Sequence, residues 1–90
     1  AMEFADMGIR VNAICPGLIV TDLNRSSPHL APMINLTPMH RSGEADEVAQ
    51  LVLFLASEGS AFITGEDFVI DGGFTAGAAY RRVAKETGLL

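Results

Sequence analysis

The sequence is poor in cysteine, basic residues and long apolar runs. Cys15 is the only cysteine among 90 residues, which excludes a framework of disulfide bonds. The longest apolar run covers only residues 51–56, whereas a membrane-spanning helix needs roughly 20 residues. Six basic residues against eleven acidic ones give a net charge of −5, which argues against a nucleic-acid partner. Residues 1–6 lack the basic start and apolar core of a signal peptide, so we expect a cytoplasmic protein.

The remaining composition is that of a globular domain with excess apolar surface. The chain is 49% hydrophobic and 19% charged, which argues against disorder. A mean hydropathy of +0.31 predicts that material outside the chain covers part of this surface, either more of the same polypeptide or a partner subunit. Cys15 lies within a predicted strand, so we expect a buried, inert thiol.

A strand followed by a Pro-Gly turn organises the chain. Residues 9–15 alternate with a period of two, which predicts a strand in a sheet that is covered on both faces. Pro16 has no N–H for a sheet ladder and ends this strand, and Gly17 lets another group approach the backbone closely. Ligands of open α/β sheets bind at the carboxyl ends of strands. Residues 18–21 offer free peptide groups and one hydroxyl for an amide-bearing ring and a phosphate oxygen, although an ordinary turn would explain the same residues.

The segments on either side of this strand have different characters. Residues 1–8 predict the end of a helix, with Gly8 as its left-handed cap. Residues 22–41 contain three prolines, which exclude a long helix. This apolar segment is either a lid over a small-molecule pocket or a surface loop that packs its own side chains. The apolar residues assigned to the lid are Leu23, Leu30, Met33, Ile34 and Met39.

The second half of the chain predicts a helix, a strand and a tail. Residues 44–57 form the helix, whose first turn carries three solvated carboxylates that stabilise the helix start and are not a catalytic pair. A core face at 48, 51, 52 and 55 and an almost equally apolar opposite side predict burial against both the sheet and a second subunit. Gly59 is expected to cap this helix. Residues 67–71 predict a strand that ends at Gly72 and Gly73, where the backbone can be approached closely, and residues 74–90 form a weak helix or a frayed end.

Several candidate sites fail on spacing. No G-x-G-x-x-G phosphate loop is present, and Tyr80 and Lys85 would lie about 140° apart on a helix. His29 and His40 have no third ligand at metal spacing. We therefore predict no catalytic residue and no metal site in this chain. Two strands are also too few for a doubly wound sheet of about six, so we expect a piece of an α/β domain.

Several linked motifs follow one another in a fixed order. They are Gly8-Ile9-Arg10-Val11-Asn12-Ala13-Ile14-Cys15-Pro16-Gly17, Thr21, Arg41-x-Gly43-x-x-x-Glu47-Val48-Ala49, Phe54-Leu55-Ala56-Ser57, Ile63-Thr64-Gly65 and Asp71-Gly72-Gly73. In order and spacing they resemble the carboxyl-terminal part of the short-chain dehydrogenase/reductase family. The resemblance implies an α/β fold, the C-terminal part of a Rossmann-type doubly wound parallel sheet, with residues 1–90 forming part of a single NAD(P)-binding domain.

The resemblance also implies a function. The nicotinamide end of NAD or NADP would be bound by Pro16, Gly17, Leu18, Ile19 and Thr21, with the Ile19 backbone on the carboxamide and the Thr21 hydroxyl on the carboxamide or pyrophosphate. Residues 22–41 would be the substrate loop for a small apolar carbonyl compound or alcohol. Helix 44–57 and strand 67–71 would join subunits of a homodimer or homotetramer.

The same resemblance places the glycine-rich loop and the catalytic Ser, Tyr and Lys upstream of residue 1. The 90 residues would then be part of an oxidoreductase and inactive alone. The alternative is a non-catalytic assembly or regulatory module derived from that fold. We expect the tail to contact a neighbouring subunit and assign it no other role.

Overall fold

The computed structural model describes residues 1–89, without the side chains at 78, 79 and 81. Its strands are β1 (Ala13–Pro16), β2 (Ile19–Val20), β3 (Gly43–Glu44) and β4 (Asp67–Ile70). Its α-helices are α1 (Leu30–Leu36), α2 (Ala45–Ala56) and α3 (Phe74–Glu86), and two short 3-10 helices cover Ala5–Met7 and Glu58–Ser60. Within residues 1–89, no helix is long and apolar enough to cross a membrane.

The strands pair in parallel, as the predicted α/β fold requires. β1 lies beside β4, with Ala13 opposite Asp67 and Pro16 opposite Ile70. β2 and β3 form a second, two-residue parallel pair. The predicted strand begins four residues later than expected, at Ala13, because Val11 faces a loop. Its N–H donates to the Thr64 hydroxyl at 3.1 Å and its carbonyl accepts from the Gly65 N–H at 2.8 Å.

The two faces of this sheet differ in burial. The even-numbered side chains Arg10, Asn12 and Ile14 are partly buried, which confirms the predicted alternation. The odd-numbered face is exposed: Cys15 is exposed, and Val69 beside it is 53% exposed. The predictions that both faces are covered and that the Cys15 thiol is buried are therefore wrong for this chain. The reason is that no element within residues 1–89 lies over this face.

Helix α2 begins as its sequence predicts. Glu44 is the N-cap and forms a capping box with Glu47, in which each side chain accepts from the backbone N–H of the other residue. The helix ends at Ala56, one residue short of the predicted end. Ser57, in extended conformation, is the C-cap, and Gly59 lies in the following 3-10 helix. The prediction that Gly59 caps α2 is therefore wrong.

Two side chains from outside α2 bind the carbonyls at its end. Ser60 is 1% exposed, and its hydroxyl lies 2.9 Å from the carbonyl oxygens of both Phe54 and Leu55. Arg10 donates from Nη2 to the Leu55 carbonyl at 2.8 Å and from Nη1 to the Ile63 carbonyl at 3.2 Å. A cation at a helix C-terminus is favoured by the helix dipole. With these carbonyls satisfied, a left-handed glycine cap is not needed.

Helix α2 buries only one side. Val48, Leu51 and Leu55 of the predicted core face are partly buried, but Val52 is exposed. On the other side, Leu53 is 64% exposed. The described chain thus covers one face of α2 and leaves an apolar strip, defined as Val52, Leu53 and Phe54, open to solvent.

The two ends of the chain are helical in different ways. Residues 5–7 form a 3-10 helix instead of the predicted α-helix end, but Gly8 is its left-handed cap, with φ of 77° and its N–H bonded to the Ala5 carbonyl at 3.3 Å. The tail forms helix α3, which bends at Gly77, where φ is 140°. Of the predicted 74–90 tail, Leu90 lies outside the described residues.

Candidate functional site

The turn after β1 lies directly against the end of β4. The Gly17 N–H donates to the Ile70 carbonyl at 3.0 Å. A Cβ atom on Gly17 would lie 2.6 Å from Cβ and 2.9 Å from Cα of Asp71, closer than such atoms approach in folded proteins. The predicted close approach at Gly17 is therefore confirmed, and the neighbour is the chain's own backbone. As a result, the first residues of the turn are held at the carboxyl edge of the sheet.

The peptide groups of the turn are less free than its sequence predicts. The Leu18 carbonyl accepts from the Gly43 N–H at 2.8 Å. The side chain of Asn24 donates from Nδ2 to the Ile19 carbonyl at 2.9 Å and accepts at Oδ1 from the Thr21 N–H at 2.8 Å. The groups that the turn can still offer to a ligand include the Ile19 N–H and the Thr21 hydroxyl. The prediction that all of these peptide groups are free is thus wrong for the carbonyls of Leu18, Ile19 and Thr21 and for the Thr21 N–H.

Sequence reasoning missed Asn24. A signal for it exists, because an Asn three residues after a Thr has the spacing at which a side chain can accept from the backbone N–H at the start of a turn. The lid prediction drew attention to apolar residues and prolines, and Asn24 is neither. Its second contact, to the Ile19 carbonyl, depends on how β2 enters the turn and is not visible in local spacing.

The segment 22–41 contains only one short helix, α1, as its prolines predict. Pro32 is the third residue of α1 and is tolerated, because the first N–H groups of a helix have no partner within it. Leu30, Met33 and Ile34 are partly buried, whereas Leu23 is 98% exposed and covers nothing within the described chain.

The end of this segment is anchored on the double glycine after β4. The Met39 N–H donates to the Gly72 carbonyl at 3.1 Å. A Cβ on Gly72 would lie 2.8 Å from Cγ2 of Thr37, whose side chain is 4% exposed. Gly72 also has φ of 64°, a conformation that favours glycine. The predicted close approach at the double glycine is confirmed, with Thr37 of the segment 22–41 as the neighbour.

A pocket of about 170 Å³ opens between the turn, the end of the segment 22–41 and the start of α2. It is lined by Leu18, Ile19, Thr37, Met39, Arg41, Ser42, Gly43, Glu47, Ile70, Asp71 and Gly72. Three of the predicted site residues, Leu18, Ile19 and Met39, therefore meet in one cavity. Its lining does not include Pro16, Gly17, Thr21 or the other four residues assigned to the lid.

The charged groups of this pocket are held by partners. Arg41 donates to both carboxylate oxygens of Glu47, at 2.8 and 2.9 Å. This hydrogen bonding, followed by the bond from the Glu44 N–H, lowers the pKa of Glu47 to about 2. The hydroxyl of Thr75 and the N–H groups of Thr75 and Gly73 lower the pKa of Asp71. Both carboxylates are thus ionised at neutral pH. Glu47 stabilises the start of α2, and Asp71 holds the turn between β4 and α3.

The histidines do not converge on a site. His29 precedes α1 as its N-cap, and His40 lies near the end of the segment 22–41 with φ of 55°. Within residues 1–89, no three His, Cys, Asp or Glu side chains are grouped so that they could hold a metal ion. Tyr80 and Lys85 both lie on α3, and neither lines the pocket beside the turn.

The chain matches known proteins over most of its length. Residues 1–75 match a family model described as enoyl-(acyl carrier protein) reductase. The chain is 45% identical over 75 residues to a cyclohexanol dehydrogenase of Acinetobacter sp. (strain SE19), covering 83% of this chain and 30% of that protein. It is 46% identical over 79 residues to a glucose 1-dehydrogenase of Gluconobacter oxydans, again covering 83% of this chain and 30% of that protein.

Solved structures agree with these matches. A 4-hydroxyisoleucine dehydrogenase complexed with NADH superimposes with a TM-score of 0.76 at 41% identity, covering 86% of this chain and 33% of that one. The chain thus spans about a third of the length of its relatives. Its parallel strand pair, the tight turn at Gly17 and the match over residues 1–75 agree, and the chain belongs to the short-chain dehydrogenase/reductase family.

Proposed function

We propose that this chain forms the nicotinamide side of an NAD(P) site and the substrate lid of an oxidoreductase. The reaction is hydride transfer between nicotinamide and a carbonyl or secondary alcohol carbon of an apolar substrate. The observation that carries the proposal is the turn at residues 16–21, which leaves the carboxyl end of β1 beside Asp71 and opens next to a pocket. Support comes from a structural relative that is complexed with NADH.

The groups of the turn suit the nicotinamide end of the cofactor. A carboxamide needs a donor for its oxygen and an acceptor for its NH₂ group. The Ile19 N–H is such a donor, and the exposed Thr21 hydroxyl can both donate and accept. Pro16 and Gly17 fix where these groups lie relative to the sheet. When bound, the cofactor supplies the carbon that gives or accepts the hydride.

The lid favours an apolar substrate. Met39 stands in the pocket wall with Leu18 and Ile19, and Leu30, Met33 and Ile34 of the lid are partly buried. Thioether and aliphatic side chains recognise alicyclic rings or acyl chains better than sugar phosphates. One relative is named for a sugar and another for cyclohexanol, so the relatives' names include both polar and apolar substrates. The lid residues of this chain favour the apolar kind.

The chemical step needs residues that we do not assign to this chain. We propose that the catalytic Ser, Tyr and Lys and the glycine-rich loop belong to an upstream part of the same polypeptide, so that the 90 residues are inactive alone. This agrees with a chain that spans about a third of its relatives. We further propose a cytoplasmic homodimer or homotetramer in which α2 and β4 meet their counterparts, since both carry exposed apolar side chains.

The test is the affinity for NADH and NADPH of the native polypeptide that carries this chain. Thr21→Ala should weaken binding about three- to tenfold, the equivalent of one net hydrogen bond, with an unchanged circular dichroism spectrum. Thr21→Ser keeps the hydroxyl and should bind like the wild type. Equal dinucleotide affinity in all three proteins would contradict the role given to Thr21.

A second candidate function is a non-catalytic assembly module, and the exposed strip at Val52, Leu53 and Phe54 favours it. The same experiment separates the two. A wild-type protein that binds neither dinucleotide but sediments as a discrete oligomer would support the module and refute the oxidoreductase.

A further inference from the structure

We propose that Asn24 is a positioning residue for the cofactor-binding turn. Its carboxamide holds the Ile19 carbonyl and the Thr21 N–H, and thereby fixes the orientation in which the Ile19 N–H and the Thr21 hydroxyl face a ligand. The inference rests on the proposed function, because it assigns a role at the same site.

Asn24 bonds to the turn at three points. Nδ2 donates to the Ile19 carbonyl at 2.9 Å, Oδ1 accepts from the Thr21 N–H at 2.8 Å, and its backbone N–H donates to the Thr21 carbonyl at 3.2 Å. Between the two residues so held lies Val20, which is buried and belongs to β2. Residues 19–21 are thus fixed from the core by Val20 and from the lid side by Asn24.

The contacts require the chemistry of a primary amide. One group must donate to a carbonyl and accept from an N–H, and a carboxamide offers both, whereas an ionised carboxylate offers only acceptors. The opposite amide orientation would place two acceptors and two donors face to face, so the network admits one orientation. An aspartate at this position would keep the bond from the Thr21 N–H, but its second oxygen would face the Ile19 carbonyl and repel it.

The position of Asn24 also connects the turn to the lid. It is the third residue of the segment 22–41, whose other end is tied to Gly72 through Met39. Both ends of the lid are therefore bonded to the backbone beside the sheet edge that carries the turn. Displacing the first residues of this segment would strain the two side-chain bonds of Asn24.

The experiment compares two ligands in the native polypeptide that carries this chain. NADH contains nicotinamide and ADP-ribose lacks it, so a residue that positions the nicotinamide turn should affect only NADH. Asn24→Ala should weaken NADH binding about tenfold and change ADP-ribose binding less than twofold. The control is Asn35→Ala, an exposed amide on α1 in the same lid, which should leave both affinities unchanged.

Asn24→Asp provides a second, independent readout. At neutral pH its carboxylate should weaken NADH binding at least as much as alanine does. As the pH falls and the new carboxyl becomes protonated, its O–H can donate to the Ile19 carbonyl, so the affinity relative to wild type should recover. Asn35→Asp should show no such recovery. A role confined to folding would not produce a pH-dependent rescue that is specific to NADH.

The outcomes are distinct. Wild-type affinity for NADH in Asn24→Ala, or an equal loss of NADH and ADP-ribose binding, would overturn the positioning role while the proposed function stands. Failure of the wild-type protein to bind NADH or NADPH would overturn the proposed function and this inference with it.

Discussion

Replacing Gly17 by alanine should separate the ends of β1 and β4. The new methyl carbon would lie 2.6 Å from Cβ and 2.9 Å from Cα of Asp71, and one of these atoms belongs to the backbone. A clash with backbone cannot be relieved by rotating a side chain. The strand end must shift by several tenths of an ångström, which strains the bond of 3.0 Å from the Gly17 N–H to the Ile70 carbonyl.

The expected cost follows from overpacking of well-packed structure, which is typically about 1–3 kcal/mol. The upper half of that range applies here, about 2–3 kcal/mol, because both the contact and a strand-end hydrogen bond are affected. Urea unfolding of the native polypeptide, followed by circular dichroism, measures the loss. NADH binding should weaken as well, since the turn begins at this residue.

Gly59→Ala is the matched control. Its new Cβ would lie 3.4 Å from the Ser57 hydroxyl oxygen and 3.5 Å from the Phe54 ring, which are the far ends of side chains. The backbone of Gly59 is that of a 3-10 helix, so alanine fits and can stabilise by restricting the unfolded chain. If Gly17→Ala and Gly59→Ala have the same free energy of unfolding within about 0.5 kcal/mol, the packing argument at Gly17 is refuted.

Two further predictions concern the frame around the site. Arg10→Ala should lower the free energy of unfolding by about 1.5–3 kcal/mol, because it removes charged hydrogen bonds to the carbonyls of Leu55 and Ile63. Arg25 forms only an exposed ion pair of 3.7 Å, so Arg25→Ala should change this free energy by less than about 1 kcal/mol in the same urea titration. Glu47 has its pKa lowered to about 2, so its stabilising contribution is present above its unfolded pKa of about 4.3 and is lost as pH falls from there to about 2. Glu47→Gln should therefore flatten the acid dependence of stability in that window, measured by urea unfolding at a series of pH values.

Features that depend on neighbouring residues were predictable from the sequence. The alternation of 9–15 and the proline after it predict β1 and its end at Pro16, and the acidic start at 44–47 predicts the beginning of α2 within one residue. Each of these signals acts within a few residues of the chain. The double glycine was predictable as a close approach for the same reason, although the sequence does not identify Thr37 as the neighbour.

Features that depend on distant residues were not predictable. Arg10 binds the end of a helix 45 residues later, and no local pattern shows this contact. The sequence therefore suggested a glycine cap, whereas the side chains of Arg10 and Ser60 bind the last carbonyls of α2. The exposure of Cys15 has a related cause. Alternation shows which residues share a face of a strand, but not whether another element covers that face.

Three contacts beside the candidate site constrain one another. Gly17 lies against Asp71, Gly72 lies against Thr37, and Asn24 binds Ile19. The turn, the end of β4 and both ends of the segment 22–41 are therefore linked to one another. Asp71 is itself fixed by N–H groups at the start of α3. A displacement at any one contact must therefore be shared by the others, because packed backbone cannot yield at one point alone. For this reason substitutions at Gly17 and at Asn24 should both displace the Thr21 hydroxyl, although Asn24 is not proposed to touch the cofactor.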